Sequence, residues 1–271
     1  MRDAVTPRSL VAALNEGQAD TTAHLFPGAD GGLRQPCAFS AELSGEVTVY
    51  GVTSMPAGLP GEGVEEIAAR CLDAVVRKSG APPRHVIGYS FGALVALEVA
   101  HQTVARGAPA PTVLLLDTTV RLGEQTASAP SKLLWYVGQG AGLELPQADF
   151  QALDREAQKA AVVHWCGRLS PGFDDSAAEM VYRTIEFNCA AWSRYRVRPY
   201  RGPAGVVVAR ASSVTAVHGR DAWTDVFPVG FRTASLPGGH RDVLSHANAV
   251  SLAQAVRSLL VPGSAGGPPR A

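Results

Sequence analysis

The amino-acid sequence predicts an α/β fold, with a mostly parallel central sheet, helices on both faces and a helical insertion over one end. Three observations predict it. Short β-branched runs alternate with segments of helical period up to Asp117, the pattern of right-handed strand–helix–strand crossovers. One run, Thr112–Leu116 (TVLLL), is apolar without alternation, as a strand buried on both faces must be. After Asp117 the strand signal disappears for more than eighty residues and helical periodicity replaces it.

In order, residues 22–26 and 46–52 are β-branched and aromatic runs bounded by Gly and Pro, and read as strands. Residues 64–77 place Val64, Ile67, Cys71, Ala74 and Val75 on one helical face. Residues 84–89 (RHVIGY) form the next strand, 91–105 the next helix, and TVLLL the central strand. Residues 148–168 and 174–195 read as insertion helices, the second carrying Val181, Thr184, Asn188, Ala191 and Tyr195 at steps of three and four. Strands resume at 204–210 and 231–236, and a helix over 247–260 closes the fold. The expected organisation is one domain over residues 1–260, with a helical lid over about residues 122–200. The Gly/Pro-rich stretch 261–271 is expected not to pack.

Composition excludes several function classes. Twenty-four basic residues balance twenty-four acidic ones without a polybasic block, so nucleic acid is not an expected partner. No apolar run approaches the ~18–20 residues that span a bilayer, and the N-terminus lacks a signal-peptide pattern, so a cytoplasmic, membrane-free protein is expected. Cys37, Cys71, Cys166 and Cys189 form no CxxC pair and read as buried free thiols rather than a metal or redox site.

The strongest motif is Gly88-Tyr89-Ser90-Phe91-Gly92, a G-x-S-x-G standing between a strand and a helix. A serine on so tight a turn projects its hydroxyl beyond the sheet, and the flanking glycines let strand and helix backbones pass closely. The helix start sets amide donors and the positive dipole end beside it. Such a nucleophile needs an imidazole base and an orienting carboxylate. Of the later histidines, His164 lies in an insertion helix, and His218 and His246 read as surface residues. His240 follows two glycines just past a strand, at the same sheet edge as Ser90. Asp117 ends the central strand; Asp221 and Asp225 follow a later one, and position alone does not choose among them. The oxyanion would be held by the Phe91 amide and by an amide, Ala29 or Gly28, of the glycine-rich turn His24-Leu25-Phe26-Pro27-Gly28-Ala29-Asp30-Gly31-Gly32. Read as bare sequence, that turn could equally cradle a phosphate, although it lacks the P-loop lysine and the dinucleotide-fold glycine spacing.

These segments resemble the α/β-hydrolase thioesterase domains that terminate nonribosomal peptide and modular polyketide assembly lines. LVAALNEG followed by HLFPGADGG is similar to that family's opening segment and oxyanion loop, GYSFGA to its nucleophile elbow, and LLLD and PGGHRDVL to its acid and base segments. The resemblance covers residues 10–260. The family places its acid 27 residues after the serine; here 117 − 90 = 27, which favours Asp117. The acid segment departs by continuing DTTVRLGE where Ser/Ala-Tyr-Pro is commoner.

The resemblance implies a monomeric enzyme without metal or cofactor, whose acyl or peptidyl substrate rides on the phosphopantetheine arm of a carrier protein. Ser90, Asp117 and His240 would be catalytic, and release would be by hydrolysis or macrocyclisation. Met1 and the tail favour a free-standing enzyme. The alternatives are a free-standing editing thioesterase, a small-molecule carboxylesterase or lactonase with the same triad, and a catalytically silent binding protein. Tyr89, Trp165, Phe187 and Trp192 are the candidate substrate contacts, with Tyr195 as a further lid aromatic. Arg194, Arg196, Arg198 and Arg201 offer either a solvated face or a dock for an acidic carrier.

Overall fold

The structure, a computed structural model, describes residues 10–16, 19–32, 37–53, 62–118, 131–132, 134–135, 143–169, 172–212 and 221–260. The side chains of Cys37, Trp165, Leu169, Asp221 and Ala222 lie outside that description, as do the predicted tail 261–271 and much of the early lid segment.

Seven strands form one sheet: β1 (Val11–Ala13), β2 (Thr21–Phe26), β3 (Val47–Val52), β4 (His85–Tyr89), β5 (Thr112–Leu116), β6 (Ala204–Ala209) and β7 (Arg232–Leu236). Their spatial order is β1-β3-β2-β4-β5-β6-β7. Only β1 runs antiparallel, pairing Val11 with Val52; every other neighbouring pair is parallel. Ser90 and Asp117, which end adjacent central strands, therefore emerge side by side at one sheet edge. Ligand sites of open α/β sheets lie at that carboxyl edge.

Alternation along the central strands explains their unbroken hydrophobicity. Val86, Val113 and Leu115 point into one core, shared with α2 (Val64–Ser79) and α3 (Gly92–Ala105). Ile87, Leu114 and Leu116 point into the other, shared with α1 (Cys37–Ala41) and the closing helix Ala249–Leu260. Both faces are covered, so a polar side chain without a partner is costly there, and buried His24 of β2 is one such group among the described residues. α2 shows the opposite economy: Glu65 and Glu66 sit in its first turn, Arg77 and Lys78 in its last, and Gly80 closes it at φ 73°, matching the helix dipole and the left-handed cap.

Between β5 and β6 lie α4 (Gln147–Ala152), α5 (Arg155–Leu169) and α6 (Asp175–Arg194). The single helix expected over 148–168 is thus two. The chain breaks at Leu153, and Asp154 caps the second helix by accepting from the Ala157 amide at 2.8 Å. The lid helices build a small core of their own from Phe150, Val162, Cys166, Phe173, Tyr182, Ile185 and neighbours. The far end of α6 leaves that core: Ala191 and Tyr195 belong to the main one, and Tyr195 donates to buried Glu98 of α3.

Cys71, Cys166 and Cys189 are buried free thiols, and burial pushes the Cys71 and Cys189 pKa up to about 12. Among the described residues no helix is long and apolar enough to cross a membrane, and no His/Cys/Asp/Glu cluster could hold a metal.

Candidate active site

The turn after β4 explains why Ser90 stands where it does. Its φ is 54°, a left-handed conformation that a non-glycine residue holds only when its surroundings dictate it. A Cβ on Gly88 would sit 2.3 Å from Ala93 Cα, and one on Gly92 would sit 2.2 Å from the Pro27 carbonyl oxygen. Both glycines are demanded by backbone contact. The Ser90 amide donates to the Leu116 carbonyl at 3.1 Å, tying the elbow to the central strand.

Asp117 also has positive φ, 43°. Its carboxylate is fully buried and accepts from the Ala209 amide at 2.8 Å and the Ser212 hydroxyl at 2.6 Å. Burial alone would raise its pKa. Hydrogen bonds from His240, Ser212 and Ala209 outweigh that and hold it below the usual carboxylate value.

Asp117 Oδ2 lies 2.7 Å from His240 Nδ1. An ionised carboxylate can only accept, so Nδ1 carries a proton, and in the neutral ring Nε2 then keeps its lone pair. Nε2 in turn lies 3.0 Å from Ser90 Oγ. Hydroxyl, imidazole and carboxylate from three separate segments meet in one chain of hydrogen bonds, able to move a proton off the serine. Of the rival groups, His164, His246 and Asp225 are exposed on the surface, while His218 and the Asp221 side chain lie outside the described residues.

The loop carrying His240 is fixed from several sides. Gly238 turns at φ 80°, the Gly239 amide donates to Asp242 Oδ2 at 2.7 Å, and Asn248 Nδ2 donates to the Pro237 and Asp242 carbonyls. Tyr89 stacks on the imidazole, with centroids 5.0 Å apart, and its hydroxyl donates to the His240 carbonyl at 2.9 Å. Burial pushes the Tyr89 pKa far up, so the phenol stays neutral and remains a donor. Tyr89, expected as a substrate contact, also braces the imidazole.

Beside Ser90, Phe91 begins the turn into α3. Across from it the Pro27–Gly32 loop is closed by the Gly31 amide on the Gly28 carbonyl at 2.9 Å. The Ala29 carbonyl accepts from Asn188 Nδ2 of α6 at 2.7 Å. Trp192, one turn further along α6, packs against the Phe91 ring at 5.9 Å. Phe187 is half-buried against the main core, and the Trp165 side chain lies outside the described residues. Of the four arginines, Arg198 pairs with Glu98 at 2.8 Å and Arg194 donates to the Glu62 carbonyl. Arg196 donates to carbonyls of its own segment, and all four are exposed.

Sequence reasoning missed Ser212 and Asn188. Ser212 lies in the turn after β6, where only the strand register could align it with Asp117. Asn188 falls on the periodic face of its helix with Val181, Thr184, Ala191 and Tyr195, but only the docking of the lid brings its side-chain amide to the Ala29 carbonyl.

A family model described as a thioesterase domain matches residues 23–260. The chain belongs to the thioesterase domain family. Membership implies hydrolase chemistry and agrees with the fold and motifs already described. No match was found among curated protein sequences. Among solved structures, the NocB thioesterase domain from the nocardicin cluster, in covalent complex with a fluorophosphonate nocardicin G analogue, aligns with TM-score 0.67 at 21% identity. That alignment covers 93% of this chain and 99% of that one. The Vlm2 thioesterase domain bound with a dodecadepsipeptide aligns with TM-score 0.68 at 20% identity, covering 94% and 99%. A four-domain nonribosomal peptide synthetase bound to AMP and glycine aligns with TM-score 0.78 at 19% identity; this thioesterase spans 94% of its own length but only 20% of that chain. At such identities the likeness is one of fold.

Proposed function

We propose that this thioesterase releases or edits an acyl or peptidyl chain held as a thioester on the phosphopantetheine arm of a carrier protein, through an acyl-enzyme on Ser90. The observation that carries the reading is the unbroken relay Ser90 Oγ–His240–Asp117, at 3.0 and 2.7 Å.

The steps follow from the geometry. Nε2 of His240 accepts the Ser90 proton as Oγ attacks the thioester carbonyl carbon. The imidazolium formed is stabilised by Asp117, which stays ionised. The developing oxyanion takes hydrogen bonds from the Phe91 and Ala29 amides, at the positive end of α3. The C–S bond breaks, the imidazolium returns the proton to the departing thiolate, and the acyl group remains on Oγ. Water, or a hydroxyl or amine of the acyl chain itself, then loses its proton to Nε2 and attacks the ester; the C–Oγ bond breaks and the imidazolium returns the proton to Oγ, restoring Ser90. These steps call on no metal or cofactor. The carrier protein is the expected partner, and the exposed arginines at the end of α6 suit an acidic one.

A direct test compares an acyl-pantetheine thioester, the same acyl group on an oxygen ester, and both with Ser90→Ala. The proposal expects the thioester to be preferred and the variant to lose turnover by at least about a thousandfold. Equal rates on both esters would favour a small-molecule esterase. Undiminished turnover by the variant would place the chemistry elsewhere.

A further inference from the structure

Building on the acyl-enzyme reading above, we infer that lid helix α6 is a structural part of the oxyanion hole, with Asn188 and Trp192 as positioning residues. These two residues are separated by one helical turn and so share a face. Asn188 Nδ2 donates to the carbonyl of Ala29 at 2.7 Å, and the Trp192 ring packs on Phe91 at 5.9 Å. Ala29 and Phe91 are the two residues whose amides would hold the oxyanion. One face of one helix therefore braces both walls.

The burial of Asn188 argues that its bond matters. The residue is 1% exposed, and its Oδ1 is buried without a hydrogen-bond partner among the described residues. An unpaired buried acceptor is costly, a penalty that the bond from Nδ2 to the Ala29 carbonyl must offset. What asparagine supplies and leucine cannot is the N–H directed at the Ala29 carbonyl. That bond fixes the residue's orientation, and hence the direction of its amide on the other side of the same Cα.

Position on the helix gives the brace a consequence. Cys189 belongs to the lid core, while Ala191 and Tyr195 belong to the main core. Asn188 therefore stands where α6 passes from one core to the other. With α6 docked in this way, Asn188 is seated on Ala29, so a complete oxyanion hole goes with a docked α6. A donor misplaced by an ångström loses most of its value in the transition state.

The test compares Asn188→Leu and Asn188→Ala, Trp192→Ala and Trp192→Phe, with exposed Met180→Ala on the same helix as control. Steady-state thioester turnover is measured together with affinity for an acyl trifluoromethyl ketone, whose adduct with a serine presents an oxyanion. Asn188→Leu and Asn188→Ala are expected to lower kcat by roughly tenfold or more, with KM within about twofold, and to weaken ketone binding in parallel. Trp192→Ala should behave likewise, Trp192→Phe should be largely restored, and Met180→Ala should be unchanged. Unchanged kcat and ketone affinity in a folded Asn188→Leu, judged by its thermal midpoint, would overturn the inference. So would a change confined to KM. Ser90→Ala in the same series separates the two proposals: if it retains turnover the acyl-enzyme reading fails, whereas if only the Asn188 variants retain it the brace alone fails.

Discussion

Replacing Asp117 with asparagine removes one charge and almost no volume, and its consequence can be worked through atom by atom. The backbone at this position has φ 43°, which asparagine tolerates better than alanine would, so the substitution adds little strain. The Ala209 amide at 2.8 Å needs an acceptor, and only the amide oxygen can meet it. That choice turns the new NH₂ group toward the Ser212 hydroxyl and His240 Nδ1. Ser212 can reverse its bond and accept; Nδ1 can accept only by giving up its proton. The ring then carries its proton on Nε2, facing Ser90 Oγ, and cannot act as a base. The corresponding change in trypsin, a different fold, costs ~10⁴ in kcat. At about 1.36 kcal/mol per factor of ten, the same loss here is about 5.4 kcal/mol. The assay follows free thiol released from an acyl-pantetheine thioester, with thermal unfolding as the check on integrity. A folded Asp117→Asn that retains turnover within tenfold would refute the reasoning, as would Asp221→Asn or Asp225→Asn proving the more damaging.

Three further outcomes are expected. Ser212→Ala removes one hydrogen bond to the buried carboxylate, worth about 1.5–3 kcal/mol; the Asp117 pKa should rise, shifting the acid limb of a carboxylate-specific titration upward while kcat at neutral pH falls less than in Asp117→Asn. Gly92→Ala would force a Cβ to within 2.2 Å of the Pro27 carbonyl oxygen, so a loss of about 3 kcal/mol or more is expected, read as a lowered thermal midpoint or no soluble protein. Finally, burial lowers the His24 pKa from 6.5 to about 4. The folded protein holds this ring neutral while the unfolded chain binds the proton, so the contribution to stability is complete above pH 6.5. It is lost as pH falls toward 4, by roughly 3 kcal/mol in all. His24→Phe should flatten that part of the stability–pH curve measured by urea unfolding, and an unaltered curve would assign the acid sensitivity to other groups.

The parts of the fold legible in the sequence were those where one local rule dominates. TVLLL had to be a two-faced strand, and the strand occupies Thr112–Leu116 as expected. The helix from Val64 ends at Ser79 rather than Arg77, because Gly80, not the last apolar residue, supplies the left-handed stop. β1 went unread because its three residues are mostly exposed and gain strand geometry only by pairing with β3. The short helix Cys37–Ala41 is likewise too brief for its own period to register. Asp154 did carry a readable signal, an aspartate three residues ahead of the amide it caps, but the apolar period on either side obscured it. Within the site, the motif and chain order pointed to Ser90 and His240, and residue spacing within a family resemblance was needed to favour Asp117. Ser212 and Asn188 depend on register and docking between segments 95 and 159 residues apart in sequence from their partners, which no local pattern encodes.

The central claim is tested most directly by the intact mass of the enzyme, rapidly quenched after mixing with a carrier protein bearing an acyl-phosphopantetheine arm. The account predicts a transient gain equal to the acyl group, mapped to the peptide containing Ser90 and missing from Ser90→Ala. Turnover of the thioester with no such adduct at any mixing time, or an adduct that persists in Ser90→Ala, would contradict it.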